Sequence, residues 1–365
     1  MTGGRLNRYM LTQTLSGLGL ALLTITTVIV LVDFVEQSRA IGTRVDVSTL
    51  DLLGLTLLKT PLLLETTLPF IFLFGILTSL FRLNRRSELI VMRASGMSAW
   101  RILTAPMLFA VVAGVIGATA LNPLAAAGNA EFQRRRDALM NVRQTPGVEE
   151  PVWLRETTAD GFTVISAMAL EENRREVRRP TFYHFSLNDE GVPSLERRID
   201  GATAQLMDGF WEVSGAIERI PNESALELGM ITLPTQINRQ ALFERARSPQ
   251  GVSFWDLPGL IATARDAGLA TARYELRWHG LLALPLTLLA ATLIAAAATL
   301  RLHRLGGAAA FALVGGLAGF VMFFFQEVLS SFGATGALPP LTAAWAAPAI
   351  TALMALTYIA STEDG

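Results

Sequence analysis

The sequence predicts a membrane α-helical protein: six transmembrane helices plus one all-β, jellyroll-like domain between the third and the fourth. Three observations carry this. The 365 residues are 51% hydrophobic with a mean hydropathy of +0.42, more apolar than a soluble globule. The charges are segregated, so that long runs have none while residues 131–278 are crowded with Arg, Glu and Asp. Within the crowded stretch, long apolar runs give way to short alternating segments of Val, Ile, Phe, Tyr, Trp and Thr, the period-two signature of strands. The formal net charge of −1 says nothing about partners, because the two signs occupy different regions.

Absent residue types exclude some chemistry. With no cysteine there is no disulfide, no thiol nucleophile and no Cys-ligated metal. No G-x-x-x-x-G-K-[ST] occurs, so any ATP-driven work must draw on nucleotide bound by another chain. His184, His279 and His303 fall in three segments without metal-ligand spacing, and neither G-x-S-x-G nor H-E-x-x-H is present. The expectation is therefore no catalytic residues, no metal and no cofactor of its own.

In chain order, Arg5 and Arg8 precede the uncharged run Tyr9–Val32, too long for a signal-peptide core and without a clear cleavage site. It reads as a retained first span with its N-terminus inside. Residues 33–59 have mixed signs that suit the outer face, with a break at Gly42. A second span covers roughly Leu57–Phe81, interrupted by Pro61, Glu65 and Pro69; a third runs from Ile102 to about Leu124, with Asn122-Pro123 marking its outer end and EFQRRRDALM (Glu131–Met140) reading as a polar helix that continues out of it. Three more follow at about Trp278–Leu300, Leu305–Gln326 and Leu338–Ala360. The fifth has 22 residues, about 33 Å of helix, enough to cross. Arg301, His303 and Arg304 place the loop between the fourth and fifth spans inside. The resulting domains are 1–130 (spans one to three), 131–270 (β) and 271–365 (spans four to six), with both termini inside.

In the β region, strands are expected at Gly161–Met168, Thr181–Leu187, Ala202–Met207, Phe210–Ile217 and Leu228–Ile237. Alternation puts Trp211, Val213 and Ile217 on one face of their strand, and Tyr183, Phe185 and Leu187 on one face of theirs. Asp208-Gly209 is a hairpin signal and Asn188–Gly191 a second turn. Ser253–Leu269 reads as an amphipathic helix burying Leu257, Leu260, Ile261 and Ala264, with Gly268 as its stop.

Between spans two and three lies Arg82–Arg101, RLNRRSELIVMRASGMSAWR, with five arginines against one acid, Glu88. That bias belongs on the cytoplasmic side. Leu89, Met92 and Gly96 recur at helical spacing, Ser87 is placed to cap, and Glu88 falls in the first turn, where the helix dipole favours an acid. The pattern predicts a short helix over about 84–98 lying flat at the membrane surface. An ordinary loop held near headgroups by its arginines fits the same residues.

Several strings, with this layout, resemble one family. RSELIVMRASGMS (Arg86–Ser98) is the specific one. RYM near the start, FVEQ (Phe34–Gln37), DAG…RYELRWHGLLALPL (Asp266–Leu286) and GF…LPPL (Gly319–Leu341) support it. Together they resemble the lipopolysaccharide-export ABC permeases LptF and LptG, the YjgP/YjgQ family of Gram-negative outer-membrane biogenesis, over nearly the whole chain and more closely the LptG branch. The resemblance implies an inner-membrane heterodimer with an LptF-type permease on an LptB-type ATPase dimer, which would bind the ATP and Mg²⁺. It further implies that the β domain lies in the periplasm and hands lipopolysaccharide to LptC-type and LptA-type bridge proteins. Finally, it makes Arg86–Ser98 the coupling helix, with Arg86, Ser87, Glu88, Leu89, Met92 and Gly96 engaging the ATPase.

A lipid with several acyl chains and an anionic head needs an apolar cavity and a basic outer rim. Phe70 and Phe74 of span two, with Phe320 and Phe324 of span five, are candidates to line the cavity; equally, they suit lipid-facing or interhelical positions. Arg39, Arg44, Arg134, Arg135 and Arg136 sit just outside spans one and three, placed either to pair with lipid phosphates or to form a solvated face. One departure stands out: the family tends to carry a basic residue immediately before the Phe34 position, and this chain has Asp33. Glu65 and Glu327, near span ends, are further candidates as acids at membrane depth. A competing reading is a membrane-anchored periplasmic binding or sensor protein; an anchor has no need of an acidic-tipped helix on the inner side.

Overall fold

A computed structural model describes residues 3–42, 47–141, 152–158, 161–167, 169–171, 176–187, 193–207, 209–221, 224–235, 249–266, 271–301 and 308–363. The chain forms two compact units, Met1–Met140 with Ser248–Gly365, and Asn141–Arg247.

The first unit is helical: α1 (Gly3–Gly42), α2 (Thr49–Arg85), α3 (Glu88–Ala94), α4 (Ala99–Ile116), α5 (Asn122–Asn141), α6 (Leu257–Asp266), α7 (Ala272–Arg301), α8 (Ala308–Ala334) and α9 (Pro340–Glu363). Among the described residues six helices are long and apolar enough to cross a membrane: α1, α2, the rod from Ala99 to Arg136, α7, α8 and α9. Ser48 starts α2, its hydroxyl accepting from Asp51 N–H at 3.2 Å and donating to the Asp51 carboxylate at 2.7 Å. Pro61 and Pro69 lie inside α2 without ending it.

As the polar EFQRRRDALM stretch leads one to expect, the third long helix runs on past Asn122-Pro123. A π-helical turn, Gly117–Leu121, joins α4 directly to α5, so the helix continues to Asn141. Likewise α8 runs past Gln326 to Ala334, which puts Glu327 inside the helix rather than in a loop. The amphipathic helix is α6, shorter than expected, with Leu257, Ile261 and Ala264 buried and Leu260 packed beside them. Gly268 lies outside the described residues.

The helical core is built on α2 and α7, with Ile71, Leu73 and Ile76 facing Leu288, Leu293 and Ile294. Small residues set the spacing. A Cβ on Gly17 of α1 would lie 2.3 Å from the Gly75 carbonyl oxygen of α2, and one on Gly114 of α4 would lie 2.3 Å from Pro285 Cα of α7. Between membrane helices, which gain no hydrophobic drive from lipid, such backbone approach is a main source of packing.

The second unit is a jellyroll-like antiparallel sheet, with nine strands among the described residues: β1 (Val152–Thr158), β2 (Gly161–Ala167), β3 (Ala169–Glu171), β4 (Glu176–Arg178), β5 (Thr181–Leu187), β6 (Pro193–Asp200), β7 (Thr203–Leu206), β8 (Phe210–Arg219) and β9 (Leu226–Pro234). Their order is β1-β2-β5-β6-β8-β7-β4-β3, with β9 also on β8. The core holds Ile165, Phe182, Ile199, Trp211 and Val213, with Phe182 meeting Trp211 edge-on at 6.0 Å between centroids.

The expected face of β8 is corrected by a bulge. Gly215 has φ +63° and the register against β9 shifts there, so Ala216, not Ile217, joins Trp211 and Val213 in the core. β5 also shifts register between His184 and Phe185, and its core residue is Phe182. The β7–β8 hairpin closes through Gly209 at φ +88°, with Met207 N–H donating to Phe210 O at 2.9 Å. Asp208 and the Asn188–Gly191 turn lie outside the described residues. The compact β unit is shorter than the expected 131–270: residues up to Met140 extend the helical rod, and α6 belongs to the helical unit.

Candidate functional site

α2 ends at Arg85, and the chain turns through Arg86 and Ser87 into α3. Ser87 takes the left-handed conformation, φ 59°, and its side chain makes no capping bond, contrary to the capping role expected of it. Its backbone closes the turn instead: Ser87 N–H donates to Asn84 O at 2.9 Å, and Ser87 O accepts from Val91 N–H at 3.1 Å. Leu89 and Met92 are buried in the helical core beside Leu83, which anchors one face of α3. Ile90 and Val91 are exposed on the other face, Val91 at 66%. Gly96, φ +82°, provides the exit in a conformation that other residues adopt only under strain.

Glu88 stands at the N-terminus of α3 with its side chain 32% exposed. The Tyr9 hydroxyl, from the start of α1, donates to its Oε2, and an Arg86 guanidinium nitrogen lies 3.9 Å from its Oε1. The tyrosine is 79 residues away in sequence, beyond the reach of local pattern reading; its only signal was its place in the RYM string. A carboxylate has about four acceptor positions, so these two contacts leave room for a partner's donors.

A second constellation lies within the bundle. Glu65 of α2 is buried and forms an ion pair with Arg277 of α7. Asn122, fully buried just after the π turn, donates from Nδ2 to Glu65 Oε2 at 3.0 Å and accepts at Oδ1 from Phe254 N–H at 2.7 Å. The π turn also presents the Thr119 carbonyl to the Trp255 indole N–H at 3.1 Å. Thus a bulge in the third span, the segment leading into α6, and α2 and α7 are tied by one polar network. Glu65 and Asn122 were both visible in the sequence as oddities; Arg277, the cation that pairs with Glu65, was not.

The departure at Asp33 is resolved across helices. Asp33 is buried, and Lys59 of α2, the only lysine of the chain, lies 2.6 Å from it and 5.7 Å from the Phe132 ring centroid. This stretch of α1 and α2 still holds a cation, but α2 supplies it and an acid neutralises it.

Of the rim arginines, Arg134 and Arg135 are exposed and pair with Glu131 at 3.3 and 2.8 Å. Arg136 is half-buried, Arg39 is exposed, and Arg44 lies outside the described residues. Phe70 meets Phe323 at 4.9 Å, Phe74 is partly exposed, and Phe320 and Phe324 stack at 6.4 Å on the outer face of α8. An apolar cleft of about 840 Å³ lies on α1 and α2, lined by Leu22, Leu23, Val30, Phe34, Leu53 and Leu64. Among the described residues no group of three or more His, Asp or Glu is placed to hold a metal.

Six membrane-length helices among the described residues, a short helix between the second and third, and a jellyroll-like unit whose strands come between the third and fourth describe a polytopic membrane protein. The family is a definite one: the chain belongs to the lipopolysaccharide export system permease LptF/LptG family, whose model matches residues 8–361. It is thus a lipopolysaccharide export permease and a multi-pass inner-membrane protein. No curated protein matches the chain significantly.

Proposed function

We propose that the chain is the LptG-type subunit of an ABC transporter that extracts lipopolysaccharide from the inner membrane, paired with an LptF-type permease. A separate LptB-type ATPase dimer binds ATP and Mg²⁺ and docks on α3; no cofactor belongs to this chain. Both termini lie in the cytoplasm and the β unit in the periplasm, where it passes the lipid to LptC-type and LptA-type proteins. The observation that carries the reading is the family match along 8–361, joined to a helix whose one face is anchored by Leu89 and Met92 while Glu88, Ile90 and Val91 remain open to a partner.

Arg39, Arg44 and Arg134–Arg136 are proposed to meet lipid phosphates. Pairing with Glu131 does not bar Arg134 and Arg135 from this, because exposed pairs hold their partners weakly. Phe320 and Phe324, open on α8, and the cleft on α1 and α2 are proposed to meet acyl chains, with Phe70 and Phe74 supporting the α2–α8 contact behind them. ATP-driven release of lipopolysaccharide from proteoliposomes tests the reading. Neutralising Arg134, Arg135 and Arg136 together should weaken lipopolysaccharide stimulation of the ATPase more than the same change at Arg197 and Arg198 on β6; equal effects would reduce the rim to a general charge effect.

A further inference from the structure

A second cavity, of about 400 Å³, opens between α2, α7 and α8. It differs in chemistry from the cleft on α1 and α2, which is almost wholly apolar. Glu65 and Arg277 line it and are paired with one another. Two further charges of opposite sign line it, Arg273 of α7 and Glu327 of α8. Both are exposed, and among the described residues neither forms an ion pair. Gln326 and Ser330 add neutral oxygens along α8. At its apolar end the cavity shares Pro69 and Phe323 with a narrow crevice lined by Phe70, Leu73 and Ile294.

We propose that this cavity binds the head of a zwitterionic phospholipid bearing a primary ammonium. A cavity whose fixed ion pair is neutral and whose two further charges have opposite signs matches a ligand with both signs. The Arg273 guanidinium suits a phosphodiester, offering up to five donors in a planar fork. Glu327, Gln326 and Ser330 present acceptor oxygens, which an ammonium can satisfy with its three N–H donors and a trimethylated choline cannot. A purely anionic lipid would leave Glu327 facing like charge. The site is separate from the exported lipid's path proposed above and requires only that the helical unit lie in a bilayer.

The test is native mass spectrometry of the full-length chain purified with its partner subunits, after incubation with phosphatidylethanolamine, phosphatidylcholine or phosphatidylglycerol of matched chains. The wild type should retain phosphatidylethanolamine about tenfold better than either other lipid, the scale of one charge-assisted hydrogen bond. Arg273→Gln with Glu327→Gln should abolish the preference. Glu327→Lys should turn it toward phosphatidylglycerol. Both positions are exposed, so gel filtration should show intact complexes. Equal retention of the three lipids by the wild type, or an unchanged preference in the double variant, would overturn the proposal. So would wild-type preference for phosphatidylglycerol, which would mean that Arg273 acts alone.

Discussion

At the residue scale, the buried pair Glu65–Arg277 shows how an acid is kept at membrane depth. Glu65 has the Arg277 guanidinium and the Asn122 amide as partners, so its charge is compensated on two sides. Removing one partner strands the other. Arg277→Met should cost about 3–5 kcal/mol, read as a lowered unfolding temperature in detergent, while Glu65→Leu with Arg277→Met together should recover most of it. A double variant no more stable than the single would mean the network contributes more than charge neutralisation. In the β unit, burial and then the nearby Arg197 push the His184 pKa below its ordinary 6.5. Its Nδ1 lies 2.9 Å from the Thr163 hydroxyl. The unfolded chain therefore takes up this proton first. The contribution to stability is full above about pH 6.5 and is lost as pH falls toward the depressed folded value. Protection factors of β5 amides in the full-length chain, corrected for the intrinsic pH dependence of exchange, should fall below that pH, and His184→Gln should flatten the dependence.

At the element scale, close backbone approach makes specific demands. Gly114→Ala would push a methyl against Pro285 backbone atoms and should cost about 1–3 kcal/mol by separating α4 from α7. Gly54→Ala on α2, with nothing within 4 Å, should be neutral or gain up to about 1 kcal/mol from helix propensity. Thermal unfolding of both variants would show whether contact or propensity decides, and a Gly114→Ala as stable as Gly54→Ala would deny the contact its role. The elements also show what a sequence conveys. Apolar runs of 20 residues announced all six spans, because lipid requires that length. The π turn at Gly117–Leu121 left no such mark: its residues are as apolar as their neighbours, and its reason lies in the Trp255 and Phe254 N–H groups it helps to satisfy. β6, PSLERRID, escaped pattern reading because Ile199 is its only buried residue. Gly215 similarly defeated strict alternation in β8, since one extra residue flips every side chain beyond it.

At the scale of the whole molecule, α3 is where the helical unit turns a short amphipathic element outward. Its existence, its acidic start and its Gly96 exit were legible from RSELIVMRASGMS alone. What was not legible is that Glu88 is already held by Tyr9, which ties the first helix to the same corner. This long-range contact joins the two ends of Met1–Ser98, and no local period encodes it. Tyr9→Phe should leave assembly intact while freeing the carboxylate, whereas Glu88→Ala removes the acceptor itself. The most direct measurement is ATP-dependent release of lipopolysaccharide to a periplasmic acceptor from proteoliposomes holding this chain, its partner permease and the ATPase, with assembly followed by gel filtration. The wild type should release lipid only with ATP, and Glu88→Ala, its helices and β unit still folded, should lose ATPase docking or hydrolyse ATP without release. Wild-type assembly together with wild-type release in Glu88→Ala would contradict the coupling role of α3.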